Sequence, residues 1–567
     1  MLCRIALGVL ALTLACSLAI AGPAARATWI VIHHARLPTV AGADTVVIAG
    51  DTIVCVGRGA ELVGKMPGAW EIDAQGGVVL PGLLDPHVHL LDVGLAPKRV
   101  IQYNLLTMPL AVDAVKAYAA AHPREKWLLG GGWSYQICPA GSYPSRRELD
   151  RVVADRPVFL ESYDGHATWA NTKALELAGV TRATPDPAGG RIVREADGAP
   201  AGCLLEGASD LVKKVVPETP YPERLKALEE AAQYCAARGV TGLDDILGDK
   251  DEPRMLLELA AAGKLPVRVR ACPPLEDDLA DALKLRAALA GTPVQMGFLK
   301  GFVDGVIESR TAAMLAPYVL APSMLAPSMQ APGVGLPTRG TPQIPPIVLV
   351  HRVLAAQRAG FQVALHAVGD AAVRESLDAY QAARSIARAG PPHRIEHCEV
   401  VDPADIPRFA KLGVVPSMQP MHAMPSGETP ETDVWSENLG RARWPLAFPW
   451  RALLDAHALL AFGSDAPVVE PEPLPGIAVA MTRQDAMGRP RHGWNPNQRI
   501  AWQEAVRAYT RGAAWAMGLS GVTGELVGGM KADVVVVEPG ADLTRPKTLW
   551  KARIAHVFVG GRRVAGR

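Results

Sequence analysis

The sequence predicts an α/β protein: a (β/α)8 TIM barrel carrying a small β-sandwich built from both chain ends. Three observations carry that expectation. Short β-rich runs broken by Gly and Asp open the mature chain and close it. Between them, apolar strand-like runs alternate with helical stretches about eight times. Polar side chains able to do chemistry then fall where those runs turn polar, the strand ends at which barrel enzymes place their sites.

The first residues stand apart. Arg4 precedes "IALGVLALTLACSLAIA" and then "GPAARA", which reads as a signal peptide over residues 1–27 with cleavage after Ala27. The Ala19-Ile20-Ala21 triplet is a second A-x-A site. As a membrane anchor the run is marginally short, and as a lipoprotein site Cys16 has a poor residue, Thr13, three places before it. The expectation is an exported protein, periplasmic or secreted, with no membrane span in the mature chain. Cys55, Cys138, Cys203, Cys235, Cys272 and Cys398 then remain. None form a C-x-x-C pair, so buried free thiols are the safer reading and disulfides stay open.

"TWIVIHHARLPT", "DTVVIAGDTIVCVGRG" and "AWEIDAQGGVVLPG" supply the first part of the sandwich, residues 28–82. "GELVGGMKADVVVVEPG" and "IAHVFVGGRRVAG" supply the second, residues 521–567. The barrel is expected over residues 83–520, from runs such as "RPVFLESYD", "VTGLDDI", "LPVRVRACP", "GFLKGFVDG", "FQVALHAVGD", "HRIEHCEVV", "GVVPSMQP" and "ALLAFGSDAP". Their nearly unbroken apolarity fits parallel strands buried on both faces. "YPERLKALEEAAQYCAARG" reads as an intervening helix stopped by Gly239. Residues 318–346 repeat LAPSM and are rich in Pro and Gly, which excludes regular structure and marks a lid or an unstructured insertion.

The chain of 567 residues is 49% hydrophobic and 20% charged, with a formal net charge of +1. That supports a large core, and no basic stripe suggests a nucleic-acid partner. The expected partner is a small-molecule substrate, with a homodimer left open.

His87 and His89 in "PGLLDPHVHL" are two residues apart and so share one face of a strand. Lys300 in "FLKGFVDG", His366 in "VALHAVGD", His397 in "RIEHCEVV" and Asp465 in "AFGSDAP" each end a later apolar run. Singly, each has a structural explanation; six in order at strand ends are hard to obtain by accident.

These residues resemble the amidohydrolase superfamily, and more closely its amidohydrolase 3 branch, which includes N-substituted formamide deformylases. The likeness spans "VVLPGLLDPHVHL", "GGGWSYQICPAGSYPSRRELD", "RPVFLESYDGHATWAN", "LKGFVDGVIESRTAAMLAPY", "ALHAVGD", "HRIEHCEVV", "GSDAPV" and "TGELVGGMKADVVVVE". It implies that His87, His89, Lys300, His366, His397 and Asp465 are metal-ligand positions, with Lys300 a carboxylated lysine that bridges two ions. Imidazoles and carboxylates suit zinc, with manganese, iron or nickel as alternatives and one or two ions as the count. The expected reaction is hydrolysis of an amide or formamide-like C–N bond by metal-activated hydroxide, with Asp465 as acid and base.

His166 in "SYDGHATW" is a second catalytic candidate, either polarising the substrate carbonyl or capping the following helix. Trp133, Tyr135, Arg310, Gln419 and His422 are candidate substrate-binding residues, and Glu308 and Asp304 lie near Arg310 in the lysine loop. A deaminase of this superfamily carries a glutamate three residues after the strand-five histidine; here Gly369 stands there, followed by Asp370. A dipeptidase or N-acyl-amino-acid hydrolase is the alternative, with Arg310 receiving the substrate carboxylate. A lactonase, or a non-catalytic exported binding protein on the same scaffold, ranks behind these.

Overall fold

The computed structural model describes residues 29–66, 68–139, 142–319, 339–340, 342–386, 390–424 and 429–566. The expected leader at 1–27 lies outside the described residues, as do 320–338 and 341 of the Pro-rich segment.

β-Branched runs build two sheets from the chain ends. Trp29–His33, Thr45–Ala49, Thr52–Gly57 and Trp70–Asp73 form the first. The second joins Val78–Pro81 to Val534–Val537, Ile554–Val559 and Arg562–Gly566, with Pro81 opposite Val534 in antiparallel register. One apolar cluster takes Ile30, Ile32, Val46 and Ile48 from the first sheet and Val79, Val534, Val536 and Phe558 from the second. Buried Asp533 fastens this region to the rest of the chain, accepting from Arg268 Nε at 2.8 Å and Nη2 at 3.0 Å.

Among the described residues, two parallel sheets from the interior of the chain carry the candidate site, made of eight main strands and the two-residue Gln295–Met296 flanking Arg268–Cys272. The eight are β1 (Leu83–Val88), β2 (Val240–Ile246), β3 (Arg268–Cys272), β4 (Leu299–Phe302), β5 (Val363–Ala367), β6 (Arg394–His397), β7 (Val415–Met418) and β8 (Ala461–Phe462). β1, β2 and β3 pair in sequence within one sheet, and β4 through β8 pair in sequence within another. Single parallel bridges join the margins of the two sheets, Pro274 with Lys300 and Val88 with Ala466. Every residue of β1, β2, β5, β6 and β7 is buried, which is why the runs read as continuous rather than alternating.

Helices pack outside these strands. Tyr221–Ala237 turns Ala227, Leu228, Ala231 and Ala232 inward and ends before Gly239, whose φ of 89° no helix accommodates. It packs so closely on Leu90–Leu95 that a Cβ at Gly94 would sit 2.0 Å from the Ala227 carbonyl oxygen. Among the described residues, no helix is long and apolar enough to cross a membrane.

One expected strand belongs elsewhere. "RPVFLESYD" forms Val158–Ser162, inside a six-stranded mixed sheet ordered Gly190–Arg194, Pro200–Glu206, Ala167–Ala170, Val158–Ser162, Leu128–Trp133, Val100–Ile101. This sheet is inserted between β1 and β2. Apolar runs of this length look alike in either setting; only the antiparallel pairing with 167–170, which in turn pairs antiparallel with 200–206, distinguishes this one.

Candidate metal centre and active site

Asp465 sits at the junction of the first and last parallel strands. Its N–H donates to the His87 carbonyl at 2.8 Å, and the His89 N–H donates to the Ala466 carbonyl at 2.9 Å. Buried Asp85 fixes the same corner, accepting from Ser464 N at 3.0 Å, the Ser464 hydroxyl at 2.5 Å and His87 N at 3.2 Å. Burial pushes the Asp85 carboxyl up to about 6. Asp465 has φ 62° and His397 φ 73°, left-handed conformations that cost about 1–3 kcal/mol for such residues and persist only where surroundings impose them.

The side chains then converge. Asp465 Oδ1 lies 3.2 Å from His87 Nε2 and 3.3 Å from His89 Nε2, while Oδ2 lies 4.0 Å from both His397 Nδ1 and His422 Nε2. Asp465 therefore belongs to two groups able to hold a cation, one with His87 and His89, the other with His397 and His422. Lys300 Nζ is 3.3 Å from His87 Nε2. The His366 ring centre is 4.5 Å from that of His397, and its Nε2 lies 3.1 Å from the Gly305 carbonyl.

The donor set fits a cation. Asp465 Oδ1 faces His87 and His89 Nε2 at 3.2 and 3.3 Å without a well-aligned hydrogen bond, and His422 Nε2 is buried without a hydrogen-bond partner, an arrangement that a shared cation would satisfy. Burial holds His366 and His397 well below the usual histidine range, leaving imidazoles with a lone pair to offer. Burial opposes charge on Asp465, but His87, His89 and His397 overcome it and hold the carboxyl well below its usual range. Burial also pulls the Lys300 ammonium down to about 8.

Beneath the ligand groups lies a layer of buried charge. Glu396 Oε2 is 2.6 Å from His87 Nδ1, and Arg394 donates to Glu396 from Nε at 2.8 Å and Nη2 at 3.0 Å. Arg394 also reaches Asp244 at 2.6 Å and the Pro86 carbonyl at 2.6 Å. Burial works against the Glu396 charge, yet Arg394 and His87 bring its carboxyl to about 2. Gln419 Oε1 similarly accepts from His397 Nδ1 at 3.0 Å. Asp304 anchors the lysine loop, accepting from the N–H groups of Val368, Gly369 and Ala313.

Above the ligands is a cavity of about 380 Å³, with His366, His397 and Asp465 on its floor and Tyr163, Asp164, Glu308, Glu399 and Trp435 among its walls. His166 also lines it, its Nδ1 held 2.8 Å from Glu206 Oε2 and its ring centre 4.9 Å from His366. Burial disfavours charge on His166, but Glu206 lifts it to about 9.

The other expected substrate residues divide. His422 lines the cavity and adjoins Asp465. Trp133 is fully buried, donates to the Leu160 carbonyl, and is core to the six-stranded sheet. Tyr135 lies behind the wall, with its hydroxyl 3.3 Å from Asp164 Oδ1. Arg310 donates to Asn438 Oδ1 at 2.8 Å and is not part of the cavity wall; neither is Gln419. Sequence reading missed Asp85, Arg394, Glu396 and Glu206. For Arg394 and Glu396 a signal existed: two charges at alternate positions of an otherwise apolar strand, hence on one face of it.

Residues 71–565 match the amidohydrolase family. Over 539 residues the chain is 31% identical to Protein LONG AFTER FAR-RED 3 of Arabidopsis thaliana, covering 92% of this chain and 88% of that protein. It is 27% identical over 514 residues to the N-substituted formamide deformylase of Arthrobacter pascens, covering 88% and 90%. In fold it is similar to an uncharacterized metal-dependent hydrolase from Pyrococcus furiosus, with a TM-score of 0.66, 24% identity, and coverage of 91% of this chain and 100% of that one. With the match running from the first terminal sheet to the last strand, the chain belongs to the amidohydrolase family and is a hydrolase of that superfamily.

Proposed function

We propose that the protein is a divalent-metal hydrolase cleaving the C–N bond of a small amide or formamide-like substrate. The eight parallel strands serve as a closed barrel and the terminal sheets as a flanking sandwich. The observation carrying this reading is the buried Asp465 carboxylate, set between two pairs of imidazoles, His87 and His89 at Oδ1 and His397 and His422 at Oδ2. Zinc suits the set, as one ion or two, with His87, His89, His366, His397 and Asp465 as ligands and Lys300 contributing as a carboxylate-bearing carbamate. His422 belongs to the same shell by its distance. An ion held there supplies Lewis acidity and lowers the pKa of water to roughly 7.

The remaining steps belong to the chain. Asp465 accepts the proton of the attacking water and delivers it to the departing nitrogen. His166, positioned by Glu206, directs its other ring nitrogen at the substrate carbonyl as a hydrogen-bond donor. Glu396 fixes the His87 tautomer so that Nε2 faces the ion. The deformylase among the relatives supports a formamide-like substrate by its name. A dipeptidase or N-acyl-amino-acid hydrolase needs a receptor for a substrate carboxylate; Arg310 lies off the cavity wall, and the wall is rich in acids, which favours the amide reading. Residues 1–27, read as a leader, support action outside the cytoplasm.

The test pairs metal analysis of the purified protein with turnover on N-formyl amines, N-acyl amino acids, dipeptides and lactones. The expected result is stoichiometric metal and hydrolysis of the formyl amines. Stoichiometric metal with no turnover on any of them would overturn the reading in favour of a binding protein.

A further inference from the structure

We propose that the cavity receives a substrate bearing a cationic group, an ammonium or guanidinium remote from the scissile bond, held between Glu308 and Asp164 against the aromatic wall. This deepens, and rests on, the hydrolase reading of the same cavity.

The wall carries more acid than a neutral substrate needs. Asp164, Glu308, Glu399 and Asp433 all line it. Two of these have evident structural duties. Glu399 accepts from Trp435 Nε1 at 2.6 Å and faces His422 Nδ1 at 3.5 Å, and Asp433 caps a helix by accepting from Ser436 N at 2.9 Å. Asp164 and Glu308 are different. Asp164 Oδ1 gathers donors from Ser162, Tyr135 and the His166 N–H, but its Oδ2 is buried without a hydrogen-bond partner. Glu308 receives the Tyr163 hydroxyl at one oxygen, Oε1.

Of the wall's cations, His166 eases the charge of Asp164, which burial still raises, and among the described residues none forms an ion pair with Glu308. His166 is engaged by Glu206 and Arg489 donates to Asp485 at 2.8 Å, while His422 is taken up with the ligand group of Asp465. Burial, together with the neighbouring charges of Asp164 and Glu399, pushes Glu308 well above its usual range. Raised in this way, Glu308 keeps its proton more readily than an ordinary glutamate, and a cation bound beside it would favour the charged form. Trp435, Phe448 and Trp494 complete the setting, with the Trp435 ring centre 5.4 Å from each of the other two. The buried Arg483 guanidinium already lies 5.8 Å from the Phe448 ring centre and 5.5 Å from that of Trp494, so among the described residues Trp435 is the ring of the three with no cation over it.

The experiment uses the metal-loaded enzyme and three matched series of propyl to hexyl length: N-(aminoalkyl)formamides, N-alkylformamides and ω-formamido carboxylates. A charge-assisted hydrogen bond in a partly buried site should favour the amine series over its neutral equivalent by about tenfold or more in kcat/KM at the best length, with the carboxylates poorest. Glu308→Gln should collapse that ratio, and Asp164→Asn should reduce it. Equal or better turnover of the neutral series, preference for the carboxylates, or a ratio unchanged in both variants would overturn the proposal. Failure of the hydrolase reading is separable: no series is then turned over, while free alkylamines still bind more tightly than alcohols of equal length if the carboxylates receive a cation.

Discussion

Glu396 and His87 meet across the floor of the candidate site, carboxylate to imidazole at 2.6 Å, with neither side chain reachable by solvent. Through this contact the strand carrying Glu396 controls which nitrogen His87 turns toward Asp465. Outer partners of this kind commonly change metal affinity by 10–100-fold when removed, on the order of magnitude seen for carboxylate–histidine pairs. Glu396→Gln is therefore expected to weaken metal binding about 10–100-fold, read by competition against a chromogenic chelator. Unaltered affinity would remove Glu396 from this role.

Asp465 is both a candidate ligand and the candidate proton carrier. In Asp465→Asn, turnover per bound ion should fall about 10²–10⁴-fold, the usual worth of a positioned acid–base group. Metal content is measured alongside, because Asp465 belongs to both ligand groups. Turnover per ion near the wild-type value would assign proton transfer to another residue.

Arg394 should be a stability residue first. It is wholly buried between Glu396 and Asp244, so Arg394→Met leaves Glu396 with only His87 and Asp244 with only Arg270 beside it in the interior. Breaking a buried pair from one side typically costs about 3–5 kcal/mol. A urea unfolding midpoint lowered correspondingly, with a similar slope, is the expected outcome. A loss under about 1 kcal/mol would mean that water or rearrangement satisfies both acids.

His393 provides a pH signature away from the ligands. Its Nδ1 accepts from Val363 N at 3.1 Å and its Nε2 lies 2.7 Å from Gln357 Oε1. Burial, with Arg384 nearby, lowers it from 6.5 to about 4. The unfolded chain thus binds this proton at a higher pH than the folded one does. Its contribution is complete above about pH 6.5 and is lost as the pH falls toward 4, up to about 3 kcal/mol in all. His393→Asn should be less stable at pH 8, yet lose less than the parent between pH 6.5 and 4 in parallel denaturant titrations. Identical slopes would place the acid sensitivity elsewhere.

Much of this arrangement is legible in the sequence because strand ends are marked twice, by an apolar run stopping and by a polar residue beginning. His87, His89, Lys300, His366, His397 and Asp465 all carry that double mark, and the structure gathers them around one point. The six-stranded sheet at 100–206 carries no such distinction, since the strand Val158–Ser162 has the same apolar grammar as β2. Nor do Trp133 and Tyr135 declare themselves: an aromatic beside a site and one in the adjoining core have the same composition. Glu206 escapes because it acts through a histidine on another strand, and the alternation of Arg394 and Glu396 marks a shared face without pointing to His87 as its partner.

The corner where Asp85 receives Ser464 joins positions 379 residues apart. Contacts of such long range are entropically expensive to close and form late when a chain folds. Neither ligand group exists until that closure is made, because both include Asp465. An ion consequently cannot template the early segments. It can only lock a chain whose last parallel strand has already arrived, so metal uptake during refolding should report completion of the whole fold rather than its beginning.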